Sequence, residues 1–280
     1  MRTLHTADIT KRVAQSVVHL NANLAPDLRS ALKNAAGSEI SPIGKTVFDM
    51  IEENLVLAEE KQRPVCQDTG MVVAFVTCGQ DVHVEGGSLE EAIHQGVREG
   101  YTQGYLRKSV VADPLDRTNT GDNTPAVIHY RIVPGETFEI TLTAKGFGSE
   151  NKSRLKMLMP SDGEAGVIDF VLEAIEQGAP FACAPVIVGV GIGGTFEKSA
   201  LLAKEALLLP MGYRNENPRY ARMEETIIEK SNASGIGPMG MGGLNTVLDV
   251  RLRSFPTHIA GLPVAVNMCC YVNRHEKVVF

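Results

Sequence analysis

The stretch Pro185-Val186-Ile187-Val188-Gly189-Val190-Gly191-Ile192-Gly193-Gly194-Thr195 sets the fold class. A short run of valine and isoleucine between a proline and a Gly-Gly pair reads as a buried strand over 185–191. A helix is predicted directly after it, over 196–209. Strand, glycine turn and helix in that order suggest a dinucleotide site. However, the required strand–helix–strand frame, with an acidic residue closing the second strand, is not visible. Glycines at this density instead signal close approach of a helix or a cofactor to the backbone.

On either side of this strand the pattern is mixed. The first sixty residues look helical, with Ile9, Val13, Val17 and Leu20 on one stripe and Ile43, Val47, Ile51, Leu55 and Ala58 on another. Ser41 is a candidate N-cap, with Pro42 in the first turn. A buried strand is predicted over 71–77, and a helix from Ser88 to about Tyr105. Segments 126–133 and 137–144 flank Pro134-Gly135-Glu136 and predict a β-hairpin. Helices are predicted over 163–177 and 217–232, with strands over 245–252 and 263–267. In 245–252, Val247, Asp249 and Arg251 alternate with Thr246, Leu248, Val250 and Leu252, as expected for a strand with one wet face. The expectation is therefore an α/β protein: mixed sheets flanked by helices with an N-terminal helical layer. One domain is expected to span 1–280, with any division near 110–125.

Composition narrows the function. Apolar residues make up 44% and charged residues 21% of 280 residues, which suits a soluble globular chain and excludes a disordered one. The apolar runs are short and broken by glycine, so no membrane span is expected. The N-terminus has no apolar signal core, and the expected location is cytoplasmic. The net charge of −6, with no Lys/Arg run, argues against nucleic acid as partner. Five scattered cysteines without a C-x-x-C pair match neither a disulfide framework nor a zinc ribbon.

Polar clusters sit at the predicted element ends. They are 63–70 (Arg-Pro-Val-Cys-Gln-Asp-Thr-Gly), 145–152 (Lys-Gly-Phe-Gly-Ser-Glu-Asn-Lys), the Cys183 segment, the glycine-rich 234–243, and 255–275 with His258 and the Cys269-Cys270 pair. Segment 145–152 follows a strand and could cradle an anion at a helix start, or be a plain turn. Three of the clusters carry a cysteine. Scattered single cysteines can converge on one [4Fe–4S] cluster and leave its fourth iron open, a Lewis acid suited to removing water from a 2-hydroxy acid. The plain alternative for each cysteine is a buried core residue, and Cys78, inside a predicted strand, is expected to be one.

Over nearly its whole length the sequence resembles the α subunits of class I, iron–sulfur-dependent fumarate hydratases and of L(+)-tartrate dehydratase. The markers are R-P-x-C-Q-D-T-G, L-R-x-S-x-V-x-D-P at 106–114, K-G-x-G-S-E-N, the Cys183 loop with G-I-G-G-T, G-x-G-P-x-G-x-G-G, and H-I-A-x-L-P-V-A-V-N. The resemblance implies a fold like the class I fumarase N-terminal domain and a [4Fe–4S] cluster on Cys66, Cys183 and Cys270. Cys270 is preferred to Cys269 by its C-x-x-x-R-H spacing to Arg274 and His275. It implies Gln67, Arg107, Gly148 and His258 as substrate-binding residues and Asp68 and His258 as catalytic ones, with Lys145 and Asn151 as weaker site-shaping candidates.

Single-chain members carry a further C-terminal domain. This chain therefore resembles the α partner of an enzyme whose separate β subunit completes the site, in an α2β2 assembly acting on a small dicarboxylate. The expected reaction is reversible hydration of fumarate to L-malate. The alternatives are L(+)-tartrate dehydration, mesaconate hydration, a non-catalytic iron–sulfur sensor and a zinc-stabilised structural domain.

Overall fold

The computed structural model describes residues 2–280. In chain order its elements are β1 (Arg2–His5), α1 (Thr6–Ala22), α2 (Pro26–Ser38), α3 (Pro42–Lys61), β2 (Met71–Gly79), β3 (Val82–Glu85), α4 (Leu89–Gln103), β4 (Val127–Val133) and β5 (Phe138–Lys145). There follow α5 (Phe147–Glu150), β6 (Arg154–Leu158), α6 (Gly163–Gly178), β7 (Val186–Gly193), α7 (Phe196–Ala206), α8 (Pro218–Ala233), β8 (Val247–Phe255), β9 (Leu262–Cys269) and β10 (His275–Val279). The mixed α/β expectation holds. Two compact units share the chain: Met1–Ala25, Asn54–Phe147 and Arg274–Phe280 form the first, Pro26–Glu53 and Gly148–Asn273 the second. The stretch 110–125 lies wholly inside the first.

The first unit is built on a four-stranded sheet in the order β10-β5-β2-β4, with a separate parallel pair of β1 and β3. Helix α1 packs on α4 and over β5. Its stripe of Ile9, Val13, Val17 and Leu20 is buried with Ile93, Val97, Val72, Ile140 and Leu142. The two helices come unusually close because α4 carries glycine at the crossing. A methyl group at Gly100 would stand 2.1 Å from Val17 Cγ2. Ser88 caps α4 as expected, its hydroxyl accepting from Glu91 N–H at 3.3 Å.

The predicted hairpin of 126–133 and 137–144 does not form. Strand β2 lies between its two arms, parallel to β4 and antiparallel to β5. β5 is buried along most of its length, whereas most of β4 is exposed or half-buried. A strand with two buried faces belongs in the sheet interior, and the apolar β2 supplies the second neighbour that a two-stranded hairpin lacks. The turn at Gly135 folds over the end of β2, where Asp81 N–H donates to the Gly135 carbonyl at 3.0 Å.

The second unit has its own sheet, in the order β6-β9-β7-β8. Along β7, Val186, Val188, Val190 and Ile192 face a core built with α6 and α8. Gly189 and Gly191 occupy the alternate positions. A methyl at Gly189 would stand 2.0 Å from the Ala203 carbonyl and one at Gly191 2.1 Å from that of Ser199. Helix α7 therefore lies directly on the strand, as the glycine density suggested.

Strand β8 departs from its expected wet face, because Asp249 and Arg251 are fully buried. The segment after α7 covers them and supplies partners. Arg251 Nε donates to Asp249 Oδ2 at 3.0 Å, Arg214 Nη1 to Asp249 Oδ1 at 2.8 Å, and Gly212 N–H to Asp249 Oδ2 at 2.9 Å. Charges can enter a core only when paired and hydrogen-bonded in this way. The N-terminal helices are divided between the units. α1 belongs to the first unit and α2 to the second, where Leu28, Leu32 and Ala35 are its buried stripe.

Candidate functional site

In the first unit the candidate residues gather on the loop between α3 and β2. Its backbone is tied down nearly residue by residue. Val65 N–H donates to the Asn21 carbonyl at 2.9 Å, and Asn54 Nδ2 donates to the Val65 carbonyl at 2.8 Å. The Tyr101 hydroxyl donates to the Thr69 and Gly70 carbonyls at 2.6 and 3.0 Å, and Asn123 Nδ2 to the Gly70 carbonyl at 3.1 Å. Burial pushes the Tyr101 hydroxyl far above its ordinary pKa, so it remains a donor throughout the working pH range. Gly70 has φ +75°, and a methyl there would stand 2.7 Å from the carbonyl carbon of Lys145. Only glycine satisfies both demands.

This frame presents Cys66 half-buried, Gln67 exposed and Asp68 half-buried. Each Asp68 carboxylate oxygen accepts a backbone N–H, Oδ1 from Gly70 at 3.0 Å and Oδ2 from Phe147 at 2.8 Å. Thr69 Oγ1 donates to the Arg107 carbonyl at 2.9 Å, which attaches the exposed Arg107 to the same loop. The structure thus brings Cys66, Gln67, Asp68 and Arg107 together in one unit.

In the second unit Cys183 stands exposed in the loop entering β7, with φ +54°. The glycine-rich 234–243 segment lies against this loop. Met239 N–H donates to the Ala184 carbonyl at 2.9 Å, and a methyl at Gly240 would approach Pro180 Cα to 3.0 Å. Cys270 is half-buried just past β9, its sulfur 3.9 Å from the Val272 carbonyl, whereas Cys269 is buried in the strand.

His258 is exposed in the β8–β9 connection, and its Nδ1 accepts from Ala260 N–H at 3.2 Å. That connection is anchored to the turn ending β7, where Thr257 Oγ1 donates to the Gly194 carbonyl at 2.9 Å. Gly148 is exposed, a methyl added there would meet no atom within 4 Å, and α5 is a single short turn. Lys145 is buried, and its Nζ donates to the Gly146 carbonyl at 3.3 Å. Cys78 sits half-buried in β2, and burial raises its thiol pKa.

Among the described residues, no three His, Cys, Asp or Glu side chains are gathered as a metal-holding group. Cys66 belongs to the first unit, and Cys183 and Cys270 to the second. None of the five cysteines is in a disulfide. No helix of the described residues is long and apolar enough to cross a membrane.

Sequence patterns alone missed the supporting residues Asn21, Tyr101 and Asn123, and took Arg274 only as a marker of the Cys270 spacing. Tyr101 continues the apolar stripe of α4 and reads as core, and nothing in a polar side chain's local sequence says which distant carbonyl it will meet.

The sequence profile of the family described as Fumarate hydratase (Fumerase) matches residues 10–279. The putative L(+)-tartrate dehydratase subunit alpha of Methanocaldococcus jannaschii is 41% identical over 257 residues, covering 90% of each chain. The L(+)-tartrate dehydratase subunit alpha of Escherichia coli strain UTI89 is 36% identical over 270 residues, covering 95% of this chain and 88% of that one. The subunit of the same name from Shigella sonnei is 35% identical over 270 residues, with the same coverage. These names support the tartrate alternative better than the fumarate reaction expected first. With a match across nearly its full length, the chain belongs to the fumarate hydratase family, in the class I fumarase and L(+)-tartrate dehydratase α-subunit group, and is a hydro-lyase.

Proposed function

We propose that the chain is the α subunit of an L(+)-tartrate dehydratase carrying a [4Fe–4S] cluster, its site completed by a separate β subunit in an α2β2 assembly. The observation that carries the substrate assignment is the name shared by relatives 35–41% identical over nine-tenths or more of this chain. Their description as alpha subunits supports the β partner. Reversible hydration of fumarate is the second reading, favoured by the description of the matching family.

What supports a cluster in this reading is the character of the three thiols. Cys66, Cys183 and Cys270 each stand in a loop at an element end, at least partly accessible and outside any disulfide. Cys269 and Cys78 lie within strands. Held by these three thiolates, the cluster would supply a Lewis acid at its fourth iron.

The chain's own residues supply binding and proton handling. The planar fork of Arg107 suits bidentate pairing with one substrate carboxylate. The exposed amide of Gln67 and the backbone at Gly148 add hydrogen bonds that orient the substrate. His258 accepts a backbone N–H at Nδ1, so the neutral ring carries its proton on Nε2 and offers a donor to a substrate oxygen. Dehydration removes a proton next to one carboxylate and hydroxide from the neighbouring carbon. Asp68, held in one orientation by two backbone N–H groups, keeps lone pairs on both oxygens and serves as the proton-handling carboxylate.

The test is an anaerobic assay of the co-expressed subunits with L(+)-tartrate, L-malate, fumarate and mesaconate, alongside iron and sulfide analysis. A kcat/KM for tartrate at least about tenfold above the others is expected, a margin of roughly 1.4 kcal/mol in transition-state binding. A reversed preference moves the assignment to fumarate. Zinc without sulfide would remove the cluster.

A further inference from the structure

Arg274 immediately precedes β10 and its side chain is turned inward, only 3% exposed. Nη1 donates to Asn21 Oδ1 at 2.8 Å and Nη2 to the carbonyl oxygen of Asp68 at 2.9 Å, while Nε has no hydrogen-bond partner. Both acceptors are neutral. The Asp68 carboxylate accepts from Gly70 and Phe147 instead. A buried guanidinium satisfied only by neutral acceptors is costly, and an apolar side chain of similar volume would suit packing alone.

What the cation achieves is geometric. Asn21, its first acceptor, also receives Val65 N–H on its backbone carbonyl at 2.9 Å. Asp68, its second, lies three residues further along the same loop. Directly and through Asn21, one guanidinium therefore braces both ends of the tetrapeptide Val65-Cys66-Gln67-Asp68. It also stands close to the working carboxylate. A methyl built on Gly146 would lie 3.1 Å from Asp68 Oδ2 and 3.5 Å from Arg274 Nη2, so the two groups border the same small space.

We propose that Arg274 is a positioning residue for the reaction: it sets the direction of the Asp68 carboxylate relative to Cys66 and Gln67. The inference rests on the proton-handling role given to Asp68. A planar fork holds two acceptors on separate elements in a fixed relation, whereas the three rotatable donors of an ammonium on its flexible stem impose no such geometry.

The test uses the full chain co-expressed with its partner subunit, with kcat expressed per bound iron. Arg274→Lys should lower kcat roughly ten- to hundredfold, the scale of a small misplacement of a reacting group, with KM changed less than about twofold. The visible absorbance should be unchanged. Asn21→Ser, which removes one acceptor and leaves the guanidinium in place, should lower kcat severalfold in the same sense. In an Asp68→Asn background Arg274→Lys should have no further effect, because the group it positions is gone. Wild-type kcat in both single variants, a loss that vanishes once corrected for bound iron, or multiplicative losses in the double variant would each overturn the proposal. If Asp68→Asn itself keeps full kcat, it is the role of Asp68 that fails, and Arg274 loses its target with it.

Discussion

The side-chain amide of Asn245 donates to the carboxylate of Glu39 at 2.8 Å, joining residues 206 positions apart within the second unit. Glu39 is 2% exposed, yet its oxygens also accept the backbone N–H groups of Ile40, Ser41, Leu244 and Asn245 at 2.9 to 3.2 Å. The carboxylate therefore organises the start of α3 and the exit of the glycine-rich segment together. Methyl groups at Gly44 and Gly243 would stand 2.8 and 2.7 Å from Glu39 side-chain atoms, which explains glycine at both positions. The same glycine-rich segment lies against the Cys183 loop, so this carboxylate supports the loop from behind.

Glu39 should make stability fall on the acid side. Burial alone would raise its pKa. The hydrogen bonds from Asn245 and from backbone N–H groups outweigh it and hold the carboxyl at about 2. The unfolded chain titrates near the usual glutamate value of about 4.3. A depressed native pKa contributes stability that is complete above the unfolded value and is lost as pH falls from about 4.3 to about 2, on the order of 3 kcal/mol. Urea unfolding at pH 6 and pH 3 checks this. Glu39→Gln should flatten that pH slope, and an unchanged slope in the variant would place its origin elsewhere.

Close packing of α7 on β7 should make Gly191 intolerant of any side chain. The methyl of Gly191→Ala would meet the Ser199 carbonyl at 2.1 Å, and destabilisation of about 3 kcal/mol or more is expected as the helix is forced outward. Gly37→Ala, in α2 with nothing within 4 Å of the added methyl, should instead be neutral or stabilising by up to about 1 kcal/mol. Equal urea midpoints for the two variants would contradict the packing account.

Two cysteines in the first unit should behave oppositely. Cys66→Ser is expected to abolish the broad visible absorbance of the anaerobically assembled enzyme, and Cys78→Ser to leave it intact, since Cys78 lies within β2. Loss in both variants would refute the proposed ligand set.

Arg107→Ala should raise KM for the dicarboxylate by roughly ten- to hundredfold with iron content unchanged, as expected for losing a charge-assisted bidentate contact of about 1.5–3 kcal/mol. Steady-state kinetics settle the point, and an unaltered KM takes Arg107 out of the substrate site.

Much of the fold was legible because it is written locally. The valines of β7, the stripe of α1 and the start of α4 at Ser88 announce their elements within a few residues. Non-local pairing was not legible. Segments 126–133 and 137–144 have the length and turn of a hairpin, and only competition from β2 for the same ladder separates them. Asp249 and Arg251 alternate like solvent-facing residues. Their burial depends on Arg214 and Gly212, brought in by a turn some 35 residues upstream.

The motifs in this chain determined by themselves the chemistry on offer: thiols at three element ends, a carboxylate two residues from the first, and an arginine and a histidine that the family resemblance assigns to the substrate. Side-chain type is a property of the residue, and a long ordered series of motifs carries its family with it. Only the tertiary structure revealed what holds that chemistry in place. Tyr101, Asn123 and Arg274 converge on the carbonyls of Thr69, Gly70 and Asp68. Those contacts depend on the packing of α4 and on the approach of the chain into β10, and no local pattern encodes which buried donor will find which distant carbonyl.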